Sequence, residues 1–208
     1  MTSPEDRSTH WDDRYRTVGA DQVSWFEAEP TLSLELLDLA GVTAAATVID
    51  VGGGASRLAG ALVARGHADV TVLDLSTEAL DRARAGLPHP NAVHWVVADL
   101  LTWAPTRRYD VWHDRAVFHF LVDPRDRATY RAVLRRALAP GGTVVVATFA
   151  EDGPTMCSGL PVRRYSADEL LDELGPGLTP VATGRHDHLA PAGAVQHFTW
   201  VVLKADPA

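Results

Sequence analysis

The chain has 208 residues, 46% apolar and 22% charged, enough for one globular domain with a well-buried core. Its formal net charge of −8 argues against a nucleic-acid partner, because phosphate binding wants a basic surface. A single cysteine, Cys157, excludes an intramolecular disulfide and a cysteine-rich zinc site; no stretch reaches the ~18 uninterrupted apolar residues of a membrane span, and the polar start over residues 1–16 is unlike a secretory signal, so a cytoplasmic protein is expected.

No internal repeat or linker interrupts the pattern, so residues 1–208 are read as one domain, with 1–30 ahead of a core at 31–208. The first segment holds Trp11, Tyr15, Trp25 and Phe26, an aromatic content suited to a lid that keeps water out of a site. Residues 31–40 make an amphipathic helix opened by Thr31 after Pro30. Strand and helix then alternate. Strands are predicted at 47–51, 70–73, 93–97, 109–113 and 143–149, and helices at 56–65, 77–85 (capped by Ser76) and 124–138. This rhythm implies a mainly parallel sheet with helices on both faces. It breaks after residue 150: a helix capped by Ser166 runs to Leu174, then strands near 178–183 and 196–203 flank Pro191-Ala192-Gly193 as an antiparallel terminal pair.

The loop after the first strand reads V-I-D-V-G-G-G-A-S-R-L over 48–58. Gly52, Gly53 and Gly54 allow a tight turn and close approach of a ligand to the backbone. Such a loop is common to many nucleotide binders, so its neighbours decide. Asp50 precedes Gly52 by two residues, Arg57 stands where a dinucleotide fingerprint wants a third glycine, and Asp74 ends the second strand with Leu75 beside it. Asp99 and Leu100 follow the third strand. Lys204 is the one lysine beside eighteen arginines, which removes P-loop chemistry and the Tyr-x-x-x-Lys chemistry of short-chain dehydrogenases.

Taken together, Asp50, the glycines, Asp74 and Asp99 resemble the S-adenosylmethionine site of class I methyltransferases, over roughly residues 45–150. That resemblance implies a Rossmann-like α/β fold with a seven-stranded sheet. It also implies that the glycine loop meets the methionine part of the cofactor, that Asp50 helps hold its amino group, that Asp74 binds the ribose, and that Asp99 and Leu100 bind the adenine. The W-D-x-R-Y…W-F arrangement near the N-terminus resembles both the thiol, halide and tellurite methyltransferases and the elongation-factor and citrate-synthase lysine methyltransferases. As part of the lid, Trp25 and Phe26 are expected nearest the cofactor, with Arg14 reaching the cofactor carboxylate as a charge-assisted donor. The second group carries a Lys-Gly pair on its fourth-strand motif where this chain has Asp114-Arg115, which favours a small-molecule acceptor over a protein lysine.

His113 and Asp114 fall at the carboxyl end of the fourth strand, where open α/β sheets bind ligands, and are the candidate bases for an acceptor that must lose a proton. His119 is read as packing. His186 and His188 share a strand face, but without carboxylate or cysteine support no metal is expected. The expected function is methyl transfer from S-adenosylmethionine to a small molecule. The competing readings are a protein-lysine methyltransferase, an NAD-dependent oxidoreductase and a non-catalytic cofactor-binding module. Neither the acceptor nor the oligomeric state is readable from the sequence.

Overall fold

The computed structural model describes residues 4–207. Val48–Val51 (β1) and Val70–Asp74 (β2) are apolar runs buried along their whole length, as strands covered on both faces must be. They pair in parallel with each other, β2 also with Val93–Val97 (β3) and β1 with Tyr109–Arg115 (β4), which in turn pairs in parallel with Leu138–Phe149 (β5). Met156–Cys157 (β6) and Leu160–Pro161 (β7) form a small separate hairpin. Leu178–Leu189 (β8) and Val195–Ala205 (β9) complete the seven-stranded sheet, in the order β3-β2-β1-β4-β5-β9-β8. The last strand, β9, is antiparallel to both β5 and β8, so β8 is the edge.

Among the described residues six α-helices accompany these strands: Pro4–Thr17 (α1), Thr31–Leu39 (α2), Leu58–Ala64 (α3), Thr77–Ala85 (α4), Pro124–Ala137 (α5) and Ala167–Leu174 (α6). Alternate strand residues face opposite sides and build two cores. Ile49, Trp112 and Val144 pack with Tyr130 and Leu134 of α5 and Leu170 of α6. Val48, Val70 and Val111 pack with Leu36, Leu62 and Leu80 of α2, α3 and α4. Short polar caps set the helix starts: Ser76 accepts from Ala79 N, Asp123 from Arg125 N ahead of Pro124, and Ser166 with Glu169 closes a capping box.

The predicted Rossmann-like sheet with its terminal antiparallel pair is the sheet observed. The largest differences from the predicted elements are three. First, β5 begins five residues early, at Leu138, because Leu138 pairs with Tyr109 before the register shifts around Gly141, whose φ is 70°. Second, β8 runs to Leu189 rather than Thr183, its outer residues carried by pairing with β9. Third, the segment read as a lid contains a full helix, α1. Among the described residues no helix is long and apolar enough to cross a membrane.

Candidate active site

The sheet changes winding direction between β1 and β4, and the carboxyl ends of β1 to β4 open onto that point. The glycine loop turns there because two residues take left-handed torsions, Gly52 at φ 63° and Gly54 at φ 48°. Space is equally restrictive. A Cβ on Gly52 would collide with the Val117 side chain, and one on Gly54 would lie 2.7 Å from the Tyr15 hydroxyl and 3.2 Å from Asp74 Oδ2.

Asp50 is buried beside this loop and accepts from His113 Nδ1 at 2.7 Å, while His113 Nε2 lies 2.9 Å from Ser33 Oγ. Asp74 accepts from Ser76 N at 2.8 Å. Burial, together with the neighbouring Asp50 charge, pushes its carboxyl up to about 6 against the pull of backbone N–H groups. Asp99 accepts from Leu101 N at 2.9 Å through one oxygen and from Arg7 Nε at 3.1 Å through the other, with Arg7 Nη2 also on that oxygen.

Helix α1 lies across these acids. Arg7, Trp11 and Tyr15, spaced four apart and so on one face, line a cavity of about 240 Å³. The adjacent stripe docks on the β2–α4 turn: Ser8 Oγ donates to Leu75 O at 3.1 Å, and Asp12 accepts from Ser76 Oγ at 2.7 Å and from Glu78 N at 3.1 Å. Asp12 is therefore a helix cap for α4 supplied from another helix. The cavity is lined by Asp74, Leu75, Asp99 and Leu100 and also by Trp25, Phe120, Cys157 and Leu160. Burial raises the Tyr15 phenol above its ordinary range and the Cys157 thiol to about 11, so both stay protonated.

The two candidate bases are not brought together. His113 and Asp114 are consecutive on β4 and point to opposite faces. His113 faces Asp50 and Ser33 beneath α2. Asp114 is fully buried and accepts from Tyr130 Oη at 2.7 Å, Val117 N at 2.8 Å and Phe118 N at 3.2 Å, with burial pushing its carboxyl up to about 6. Neither lines the main cavity, and His113 lines the second, smaller one before α2. Arg14 lies outside both the main cavity and this second one of about 50 Å³ under the strap. Its Nε is buried without a hydrogen-bond partner. Trp25 lines both cavities, and its carbonyl accepts from Arg115 Nη1 at 2.9 Å.

Residues 48–142, which hold the glycine loop, Asp74, Asp99 and β4, match the methyltransferase domain family. Over that span the chain is similar to methyltransferase domains, and its fold is the one seen in S-adenosylmethionine-dependent methyltransferases. Over 137 residues it is 35% identical to the trans-aconitate 2-methyltransferase of Azoarcus sp. (strain BH72), a match covering 65% of this chain and 49% of that protein. The chain thus spans about half the length of this curated relative. Among solved structures, a SAM-dependent methyltransferase from Anabaena variabilis ATCC 29413 superposes with a TM-score of 0.77 at 14% identity, covering 99% of this chain and 96% of that one. The N-methyltransferase NodS from Bradyrhizobium japonicum WM9, in complex with S-adenosyl-L-homocysteine, does so with a TM-score of 0.73 at 17% identity over 94% and 98%.

Sequence reasoning passed over several residues at the site. Arg7 had a readable signal in its helical spacing with Trp11 and Tyr15. Glu27 had none: it pairs with Arg115 at 3.0 Å and lies 3.7 Å from His188 Nδ1, while His188 Nε2 contacts Ser24 O at 2.8 Å. These contacts tie the strap at 24–27 to β4 and β8. They also use His188, and among the described residues no His, Cys, Asp and Glu group is arranged to hold a metal ion. His119 is packed as expected, its Nδ1 accepting from Phe149 N at 3.3 Å and burial pushing it down to about 3.

Proposed function

We propose that this chain transfers the methyl group of S-adenosylmethionine to a small-molecule acceptor held in the main cavity. The observation that carries the reading is that one cavity is lined by Asp99, Asp74 and Gly52 and also by the aromatic cluster of Trp11, Trp25 and Phe120, with α1 contributing Arg7, Trp11 and Tyr15. The residues fit the cofactor. Asp74 is a buried carboxylate with one oxygen held by Ser76 N and the other beside Gly54, suited to two ribose hydroxyls. Asp99 and Leu100 suit the adenine, while Gly52, Gly53, Gly54 and Asp50 suit the methionine part, with Trp25 as its cover. Arg14 lines neither cavity, and its charge acts on Cys157 in the wall of the main one.

The bound cofactor supplies a methyl group already activated on a sulfonium, so the protein's part is to position the reactants and keep water out. Tyr15 remains a neutral phenol beside the glycine loop, and Cys157 remains a thiol that does not compete for the methyl group. His113 holds Asp50 against the loop. Asp114 and Tyr130 hold the turn carrying Val117, which packs on Gly52. A small molecule is favoured over a protein lysine because α1 and the strap at 24–27 both contribute walls to the cavity. The trans-aconitate relative makes a carboxylated acceptor the first comparison. Calorimetric titration with S-adenosylhomocysteine, followed by isotope-labelled methyl transfer to a panel of small acceptors, tests the reading. Absence of cofactor binding by the folded protein overturns it.

A further inference from the structure

The aromatic part of the cavity wall has a definite chemistry. Trp11 meets Trp25 edge to face at 5.7 Å between centroids and Phe120 at 5.1 Å, and Leu160 and Pro161 of the small hairpin also line the cavity. Three aromatic side chains clustered in a cavity wall favour a flat, apolar π surface.

Charge works against an anion. Two arginines line the cavity, and both are ion-paired: Arg7 with Asp99, and Arg115 with Glu27. Arg115 also donates to Trp25 O and lies over the Phe198 ring. Asp126, on the first turn of α5, lines the cavity and has no ion-pair partner among the described residues, so an acidic acceptor meets a like charge.

Proton chemistry is equally constrained. No histidine or lysine lines the cavity. His119 is sealed within the protein, and His113, nearly buried, lines only the second cavity. Tyr15 and Cys157 are held protonated by burial. Asp74 and Asp99 belong to the cofactor in the reading above, which leaves Asp126 as the lining carboxylate able to take a proton. An acceptor whose nucleophile already has a free lone pair near neutral pH needs none of these groups.

We propose that the acceptor is an uncharged or singly ionised planar heteroaromatic compound whose nucleophile is a thiolate sulfur or a ring nitrogen, bound between Trp11, Trp25, Phe120 and Leu160. The acceptor lone pair forms the new bond to the methyl carbon as the carbon–sulfonium bond breaks, and that bond's electron pair stays on the cofactor sulfur. A thiolate leaves as a neutral thioether. A ring nitrogen leaves carrying the positive charge or loses a proton to water. The proposal rests on the methyltransferase reading and narrows its substrate class, away from the polycarboxylate named for the curated relative.

The test uses the full chain saturated with S-adenosylhomocysteine for binding, and S-adenosylmethionine for turnover. The probes are 2-mercaptobenzothiazole and mercaptosuccinate, which share a sulfur nucleophile but differ in ring and charge, together with trans-aconitate. The aromatic thiol is expected to show kcat/KM at least tenfold above either carboxylate. Phe120→Ala and Leu160→Ala are expected to raise its KM several-fold with S-adenosylhomocysteine affinity unchanged. Equal or better turnover of mercaptosuccinate or trans-aconitate overturns the proposal, as does failure of the cofactor complex to bind the aromatic thiol. The wild-type comparison stands even where a variant fails to fold. Failure to bind S-adenosylhomocysteine at all instead overturns the methyltransferase reading beneath it.

Discussion

Asp74→Asn separates what the fold needs from what the cofactor needs. The wild-type carboxyl sits at about 6, against an ordinary value of 3.8, because burial and Asp50 oppose its charge. A folded value above the unfolded one means stability that is fully present below about pH 4 and lost as pH rises through about 6. A shift of about two units corresponds to a cost of about 3 kcal/mol at pH 7. Asparagine keeps an oxygen for Ser76 N but adds an amide N–H₂ that needs a partner, which takes back about 1 kcal/mol. The variant without cofactor should therefore be about 2 kcal/mol more stable than wild type at pH 7, or roughly 4–8 °C higher in melting temperature for a chain of this size. Below pH 4 the advantage should vanish. The same change should weaken S-adenosylhomocysteine binding by roughly tenfold to several hundredfold, since charge-assisted hydrogen bonds are worth about 1.5–3 kcal/mol each. Wild-type affinity should fall as pH drops through about 6. Thermal unfolding at pH 4 and pH 7, with calorimetry at both, measures all of this. A variant that is no more stable at pH 7 and binds with unchanged affinity refutes both the strained carboxylate and its role.

Further outcomes follow from the same geometry. Asp12→Ala removes the cap that α1 lends to α4 and should cost about 1 kcal/mol while speeding S-adenosylhomocysteine release, read by chemical denaturation and stopped-flow fluorescence of the tryptophans; release at the wild-type rate would show that α1 does not cover the cofactor. His113→Ala leaves Asp50 and Ser33 without their buried partner and should cost about 2–4 kcal/mol, yet the pH profile of kcat for the folded fraction should keep its shape; a lost basic limb would return His113 to catalysis. Gly52→Ala should abolish cofactor binding. Adding Val117→Ala should recover part of the fold's stability but not all of it, because the steric clash is relieved and the positive φ is not; full recovery of stability would show that the torsion costs nothing.

Much of the site could be read along the chain because it is built from strand ends. Asp50, Gly52, Asp74 and Asp99 each follow or end a short β-branched run, and the parallel pairing of β1 with β2 and β2 with β3 carries them to one edge. The candidate bases are kept apart for an equally local reason: His113 and Asp114 are adjacent, and a strand sends neighbours to opposite faces. That alternation was legible. What each side chain would find there was not, since Ser33 and Tyr130 come from α2 and α5.

The sequence by itself determined the element order, the tight glycine turn, the helix caps and the acids at the strand ends, because periodicity and turn chemistry act over a few residues. Tertiary structure alone decided that β9 enters between β5 and β8, since two apolar strands are equally able to occupy the inner position until their partners are fixed. It also decided that α1 lies across the cavity with Arg7 on Asp99, 92 residues away, and that Ser24 is tied to His188, 164 residues away. Contacts at such separations depend on which surfaces the folded sheet leaves open, and that information exists only once the sheet has formed.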